Sequence, residues 1–476
     1  MINSARQFFS TKLHTIHFFI LVLLLLLAFG LRAHNYWIVP LTDETADEMA
    51  WTWLGASLLQ EGQPTSWSFY SQYENGHIYK TGVVNAPLVR PAVDHPPLFS
   101  LIPGTIHAIT SDWEAIPSRK VIRLPMIFLG TANVFLLFLV ARKFFSINWS
   151  YVAMTIYATV PIFVLSSRLV VAENLLITWT LLFILSLESW LQSTHQKKKY
   201  AVLLILISML AILTKISGIV LPITLIAVAL IAKIPRLLQV GLSALLLSIL
   251  VLLLYMTTID LPLFLSIQVA QADRLLGLTT LYSRFFIHPT VAKMVFTDGW
   301  LVLGFIASLM YISYSINTVK TLDKLLSILL RLLLIINLGF ILTTVEEFSY
   351  HGWYSYTLFP LYSIVLVSLA KKIYAGNALL GAITWFLLLP TSNNIFTQLH
   401  IRDSLSNIHI RGLYMFGLVP ILGDVLNNAS IKKSATLLLA AMIVLANCIS
   451  VFTITELSVR ENNNYYFTVQ PHNDVR

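Results

Sequence analysis

Thr42-Asp43-Glu44-Thr45-Ala46-Asp47-Glu48 sets four carboxylates within six residues, in a chain that has only 22 acids and is 57% hydrophobic. The stretch follows the first apolar run. It opens a polar segment that closes on Asp94-His95-Pro96-Pro97. Around this segment the 476 residues are almost wholly apolar, with 11% charged residues where a soluble protein carries roughly a quarter. Mean hydropathy is +0.77. Apolar runs of roughly twenty residues recur, enough to cross a hydrocarbon core about 30 Å thick. The expected fold class is an all-α polytopic membrane protein. Acids gathered at one lipid–water boundary of such a protein point to chemistry there.

The apolar runs predict about thirteen spans: 17–33, 119–141, 149–166, 170–190, 200–214, 217–232, 237–257, 298–316, 325–343, 353–370, 376–390, 412–428 and 434–455. With the N-terminus cytoplasmic, alternate loops hold Arg142-Lys143, Lys197-Lys198-Lys199, Lys233 with Arg236, Lys320 with Lys324, Lys371-Lys372 and Lys432-Lys433. Each inner loop thus has at least two basic residues, as the positive-inside rule requires. The net charge of +9 is taken up mostly in these loops and does not indicate nucleic acid. The outer side then receives 34–118, 258–297, 345–352, 391–411 and a tail from 456. The apolar run 98–109 is too short to cross, and Pro103-Gly104 interrupts it, so it is expected to lie in the interface or re-enter. Arg6 and Lys12 before the first apolar run resemble a signal peptide, but no small-residue cleavage site follows; the run reads as an uncleaved span. A single cysteine, Cys448, excludes an intramolecular disulfide.

Thr45-Ala46-Asp47-Glu48 fits a capping box, with Thr at N-cap and Glu at N3. The stretch to Glu61 has helical apolar spacing, and Gly62 stops it. This predicts a short amphipathic helix on the membrane surface, with tryptophans at headgroup depth. Helix capping competes with function as the reason for the acids. The helix dipole favours Asp47 and Glu48 by about 0.3–1 kcal/mol. Yet Asp43/Asp47 and Glu44/Glu48 are each four apart, and such like-charge pairs cost roughly 0.2–0.5 kcal/mol on a helix. Capping needs one or two acids, not four; clustered carboxylates more often mark a site. In Asp94-His95-Pro96-Pro97, the Pro-Pro pair stiffens an extended backbone. His95 can orient a substrate, bind a metal or serve only structure.

Taken together, these elements resemble the integral-membrane glycosyltransferases of the GT-C fold, the protein O-mannosyltransferase and aminoarabinose-transferase superfamily. The family pattern is an acidic pair in the first outer loop, a helix ending in Gly, then Lys or His before Pro-Pro. Ala46-Asp47-Glu48, Gly62 and His95-Pro96-Pro97 match it, whereas Asp43-Glu44 lies one turn early. Arg123-Leu124-Pro125, Ser167-Arg168 followed by Glu173, Leu213-Thr214-Lys215 with Gly218, and Tyr354–Pro360 resemble later family motifs. Glu173 stands where the family usually has Asp, and Ile216-Ser217 interrupts the Leu-Thr-Lys-Gly turn. The resemblance covers roughly residues 20–370 and implies a catalytic membrane domain over 1–455, with a short tail over 456–476. Many relatives carry a further soluble domain on the outer side.

The resemblance implies a sugar donor on polyprenyl or dolichyl phosphate. It also implies a single displacement at the anomeric carbon, with a carboxylate base and cations for the departing phosphate. Asp47 takes the base role, Asp43 is the alternative base, and Glu48 positions acceptor or sugar. Arg168, Lys215, Arg274 and His351 are the donor-phosphate candidates, since they run against the positive-inside bias. Arg284 shares that placement, and interfacial anchoring to lipid is the plainer role for any of them. Asp94, His95 and Glu173 are expected to position substrate, with Glu173 paired to Arg168 at membrane depth. The acceptor is a glycolipid, polysaccharide or protein. Asp94 and His95 offer two ligands for a possible divalent cation, too few to define a site. A bacterial inner membrane, with the site facing outward, is the expected location. A transporter or flippase of lipid-linked glycans is the alternative, but no repeated halves support it. A ligase that moves whole glycans between lipid carriers would share much of the chemistry.

Overall fold

The computed structural model describes residues 15–40, 47–68, 70–73, 78–79, 88–273, 281–287, 297–313, 322–343, 352–398, 407–426 and 428–452. Asp43, Glu44, Arg274 and His351 lie outside the described residues, as does the expected N-cap Thr45. The chain begins with α1 (Thr15–Ala33) and α2 (Asp47–Glu61), continues through a small sheet to α3 (Leu101–Thr110), and then runs as a helical bundle. The bundle opens with α4 (Arg119–Ile122), α5 (Leu124–Phe144), α6 (Ile147–Thr159), α7 (Pro161–Ser166), α8 (Glu173–Gln192), α9 (Lys197–Thr214), α10 (Val220–Ala232), α11 (Pro235–Thr257) and α12 (Leu261–Ala272). Gly299–Ser313, Leu322–Thr343, Phe359–Tyr374, Ala378–Gln398 and Ala429–Phe452 form its later long helices.

Among the described residues, seven helices are long and apolar enough to cross a membrane, and five further apolar helices are shorter. The chain is an integral, multi-pass membrane protein. Some expected spans are broken for local reasons. The expected span 149–166 divides at Val160-Pro161, where Val160 leaves the helical region with ψ 122°, as a residue before proline tends to. Lys215 is extended, with φ −161° and ψ 145°, and separates α9 from a 3-10 turn at Ile216–Ile219. α11 turns Leu242, Leu246, Leu250 and Leu254 outward and buries Gly241, Ala244 and Ser248. Small residues inside let helices approach where lipid offers no hydrophobic drive.

The first inter-span segment departs from expectation in two ways. α2 has the expected end: Gly62 takes φ +71° and donates its N–H to the Leu58 carbonyl at 3.1 Å. However, Trp51 through Ser57 are all buried, so α2 is enclosed rather than amphipathic. The reason is its neighbours. α3 crosses it at a backbone contact, and Ser66 of the antiparallel sheet (Ser66–Trp67, Leu88–Val89, Ile78–Tyr79) bonds the Ala50 carbonyl at 2.7 Å. The Pro103-Gly104 pair does not interrupt α3. Pro103 is its third residue, where the N–H has no intrahelical acceptor. Gly104 is the contact itself: a Cβ there would overlap the backbone of Gly55 and Ala56, and one on Gly55 would overlap the Ser100 carbonyl. Gly55→Ala therefore lowers stability by about 1–3 kcal/mol or more, read as a fall in the thermal midpoint in detergent. Gly30→Ala on α1, with open space around its Cα, leaves the midpoint unchanged or raises it; equal falls for both would refute the contact.

Two buried clusters result. The larger joins the spans from Leu21 to Leu388. The second gathers Trp51, Val93, Phe99, Met126, Val170, Leu175, Ile212 and Met256, and so draws the polar segment, the α4–α5 start, the turn before α8 and the end of α9 to one place.

Candidate active site

The start of α2 lies beside this second cluster. Glu48 is fully buried. Its carboxylate accepts from Arg123 Nε at 2.8 Å and from Arg123 Nη2 at 2.6 Å, and also from the Val170 N–H at 2.9 Å. Such a forked guanidinium pair is the strong form of ion-pair hydrogen bond. Arg123 is itself fully buried, and its Nη1 donates to the Tyr36 carbonyl at 2.9 Å. Glu48 was expected to position substrate; here it anchors α2 to the α4–α5 junction and to the turn at Val170. Arg123 was not selected from sequence, although it too is a cation on the side of the acid cluster.

Arg168 also departs from its expected role. It is fully buried, and donates to the Val39 carbonyl at 3.0 Å and the Leu31 carbonyl at 2.6 Å. Burial, then Arg123 and Arg32, pull its pKa down to about 9, so it remains charged at neutral pH. Its donors face backbone, not a cavity. Glu173 was expected to pair with Arg168, and the structure corrects this: its partner is Lys215. The turn from Ser166 to Asn174 fixes both. The Asn174 side-chain amide donates to the Ser166 carbonyl at 3.0 Å and to the Leu169 carbonyl at 2.8 Å. The turn thereby carries Arg168 toward α1 and starts α8 at Glu173, facing the end of α9.

Lys215 Nζ lies 2.5 Å from Glu173 Oε1 and 4.5 Å from the centre of the Tyr354 ring. Burial lowers its pKa, but Glu173, Tyr354 and Asp47 outweigh burial and raise it. Asp47 thus acts electrostatically on the same ammonium that Glu173 holds. Glu173 is 2% exposed, and its Oε2 is buried without a hydrogen-bond partner among the described residues. An acid in the first turn of α8 is favoured by the dipole, but a bare buried carboxylate oxygen is costly and uncommon. Gly218 closes the Lys215 turn because any Cβ there would overlap Ala211.

Asp94 and His95 form an adjoining wall. Asp94 accepts from the Tyr73 hydroxyl at 2.5 Å and the Ser68 hydroxyl at 2.7 Å. Burial and then Asp94 raise the Tyr73 pKa, keeping it a donor. The His95 ring stacks on Trp51 of α2, with centroids 4.6 Å apart at 17°. The Leu98 N–H bonds the Leu213 carbonyl at 3.1 Å, tying the Pro-Pro segment to the Lys215 turn. Beside this tie lies an apolar cavity of about 550 Å³, walled by Leu98, Ile102, Pro125, Leu175, Trp179 and Leu210. The Trp179 Nε1 donates to the Thr214 hydroxyl at 2.9 Å, so the cavity wall adjoins the residue before Lys215. Among the described residues, no three His, Cys, Asp or Glu side chains gather as a metal-ligand set.

A family model of the dolichyl-phosphate-mannose-protein mannosyltransferases matches residues 94–260. No curated protein matches the chain by sequence. Among solved structures, ArnT from Cupriavidus metallidurans bound to undecaprenyl phosphate is similar over 94% of this chain and 77% of that one, with 11% identity and a TM-score of 0.52. Its apo form is similar over 93% and 75%, with 12% identity and a TM-score of 0.51. The archaeal oligosaccharyltransferase AglB from Archaeoglobus fulgidus matches with 13% identity and a TM-score of 0.47; the chain covers 56% of its length. At such identities the likeness is one of fold. The chain thus shares the fold of these GT-C membrane enzymes, and the mannosyltransferase model matches the segment that carries Asp94, Arg123, Arg168, Glu173 and Lys215.

Proposed function

We propose that the chain transfers a sugar from a polyprenyl-phosphate-linked donor to an acceptor hydroxyl or amine at the non-cytoplasmic face of a membrane. The observation that carries this is the convergence of Asp47, Glu173, Lys215 and Tyr354, from four distant stretches of sequence, next to an apolar cavity. A lipid-linked donor needs that combination: an apolar slot for the first isoprene units, a cation for the phosphate, and a carboxylate within reach of the sugar.

In this reading the acceptor gives its proton to the Asp47 carboxylate. Its oxygen or nitrogen bonds the anomeric carbon while the bond from that carbon to the phosphate oxygen breaks. Polyprenyl phosphate leaves with the electron pair, stabilised by the Lys215 ammonium. Glu173 holds Lys215 through Oε1 and offers Oε2 to a sugar hydroxyl. Asp94 and His95 shape the wall that the acceptor meets. Lys215, Glu173 and Asp47 together carry one net negative charge, so a phosphodiester needs a further cation. Arg274, two residues past α12, and His351, next to Gly352, are assigned that role. Asp43 remains the alternative base. The acceptor class stays as broad as glycolipid, polysaccharide or protein, and a bacterial inner membrane fits the architecture.

The test is a purified-protein assay with a panel of polyprenyl-phosphate sugars and no transmembrane gradient. Release of polyprenyl phosphate is expected with at least one donor. Lys215→Gln then lowers kcat/KM by about 10²–10³-fold, as loss of one charge-stabilising donor does. Failure of every donor to turn over sinks the transferase reading and favours the transporter. Topology labelling that puts 47–95 in the cytoplasm sinks the placement.

A further inference from the structure

Three arginines lie fully buried around the link between α1 and α2: Arg32, Arg123 and Arg168. Only one carboxylate, Glu48, is bonded to any of them among the described residues. The other two guanidiniums are met by backbone. Arg32 donates to the carbonyls of Ala28 at 3.3 Å, Ala158 at 3.3 Å and Tyr157 at 3.1 Å. Arg168 donates to those of Leu31 and Val39. Leu31, Tyr157 and Ala158 lie in the last turn of α1 or α6, where carbonyls lack intrahelical partners and the dipole is negative; Ala28 lies one turn before the end of α1. Helix ends thus stand in for carboxylates. Among the described residues the Nε atoms of Arg32 and Arg168 have no acceptor, and Gly130 leaves room for Arg32: a Cβ there would lie 3.0 Å from its Nε.

The bonded atoms lie at both ends of the link. Arg168 holds it at Leu31 and Val39. Arg123 holds it at Tyr36 and Glu48. Asp47 is the residue before Glu48, at the first position of α2. We infer that Arg168 is a positioning residue: its two-carbonyl fork fixes the chain at Leu31 and Val39, where it leaves α1 toward α2, and so bears on where Asp47 is presented, without touching the donor phosphate. The inference rests on the reading of Asp47 as base, and it separates Arg168 from Lys215 in function. The guanidinium plane is what the role requires. An ammonium offers its three donors from one nitrogen, not from a planar two-nitrogen fork, and so does not reproduce this pair of contacts, whereas it can serve a phosphate as a point charge.

Arg168→Lys is the discriminating variant. The expected result is a fall in kcat of about 10²-fold, the scale for a small misplacement of a reacting group, with the donor KM changed by less than about twofold and no rescue by the retained charge. A raised donor KM with kcat kept identifies a phosphate ligand and overturns the inference. A second measurement needs no variant. Wild-type protein in detergent is treated with phenylglyoxal, with and without undecaprenyl phosphate, and mapped by mass spectrometry. Arg168 is expected to stay unmodified in both cases, while exposed Arg142 reacts. Modification of Arg168 that undecaprenyl phosphate blocks overturns the inference even if Arg168→Lys fails to accumulate. Absence of turnover by the wild type counts against the transferase reading and leaves the modification result to decide the role of Arg168.

Discussion

Asp47→Asn lowers sugar transfer by about 10²–10⁴-fold, the span typical of a lost general base, while the protein accumulates and binds donor as the wild type does. The substitution keeps the size and hydrogen-bonding reach of the side chain. It removes the ability to take a proton and one negative charge near Lys215. Losing that charge leaves the Lys215 ammonium, if anything, a better phosphate partner, so donor affinity is expected to hold or rise while kcat falls. That pairing of effects distinguishes a base from a donor ligand. The measurement is single-turnover transfer alongside equilibrium binding of undecaprenyl phosphate. Asp43→Asn serves as the comparison, because crowded carboxylates share protons and one can be mistaken for its neighbour. Full activity of Asp47→Asn together with loss in Asp43→Asn would move the base to Asp43.

The largest effect on stability is expected at Glu48. Glu48→Gln leaves Arg123 fully buried against a neutral partner and breaks a forked pair. Breaking a buried pair from one side costs about 3–5 kcal/mol. The protein should melt at a clearly lower temperature in detergent and accumulate poorly. Arg123→Met alone should do the same from the other side. Combining Glu48→Leu with Arg123→Met removes both charges and is expected to recover much of the loss, because the pair's own desolvation is also removed. Recovery stays incomplete, since the Val170 N–H and the Tyr36 carbonyl lose their partners at about 1–3 kcal/mol each. A double variant no better than the sum of the singles would mean that Glu48 and Arg123 act independently, contrary to their bonding.

These two neighbours, Asp47 and Glu48, show where reading residues in order stops being enough. Both fit a helix start, both are acids, and no spacing rule separates them. With a rotation of about 100° per residue on a helix, Glu48 enters the Arg123 fork while Asp47 acts electrostatically on Lys215, and only the packing of α2 decides which goes where. The same holds for the cations. Arg168 and Lys215 each run against the positive-inside bias in a short loop. One is taken up by the carbonyls of Leu31 and Val39, whereas the other is held by Glu173 beside Tyr354. Glu48 pairs with a residue 75 positions away and Lys215 with one 42 positions away, so neither pairing leaves a local pattern.

By itself the sequence determined the membrane class, most of the helical runs, the end of α2 at Gly62, and the gathering of acids and His95-Pro96-Pro97 in one segment. Those follow from properties that act locally: transfer of apolar residues into lipid, backbone freedom at glycine, and the φ restriction of proline. Tertiary structure alone decided that α2 is enclosed, that Pro103 and Gly104 sit within a helix, and which charged groups meet. In an apolar chain the lipid-facing and core-facing sides of a helix look alike, so hydropathy cannot orient them. The choice falls to close approach at small residues such as Gly55 and Gly104, and to buried charges that must find a partner somewhere along the chain.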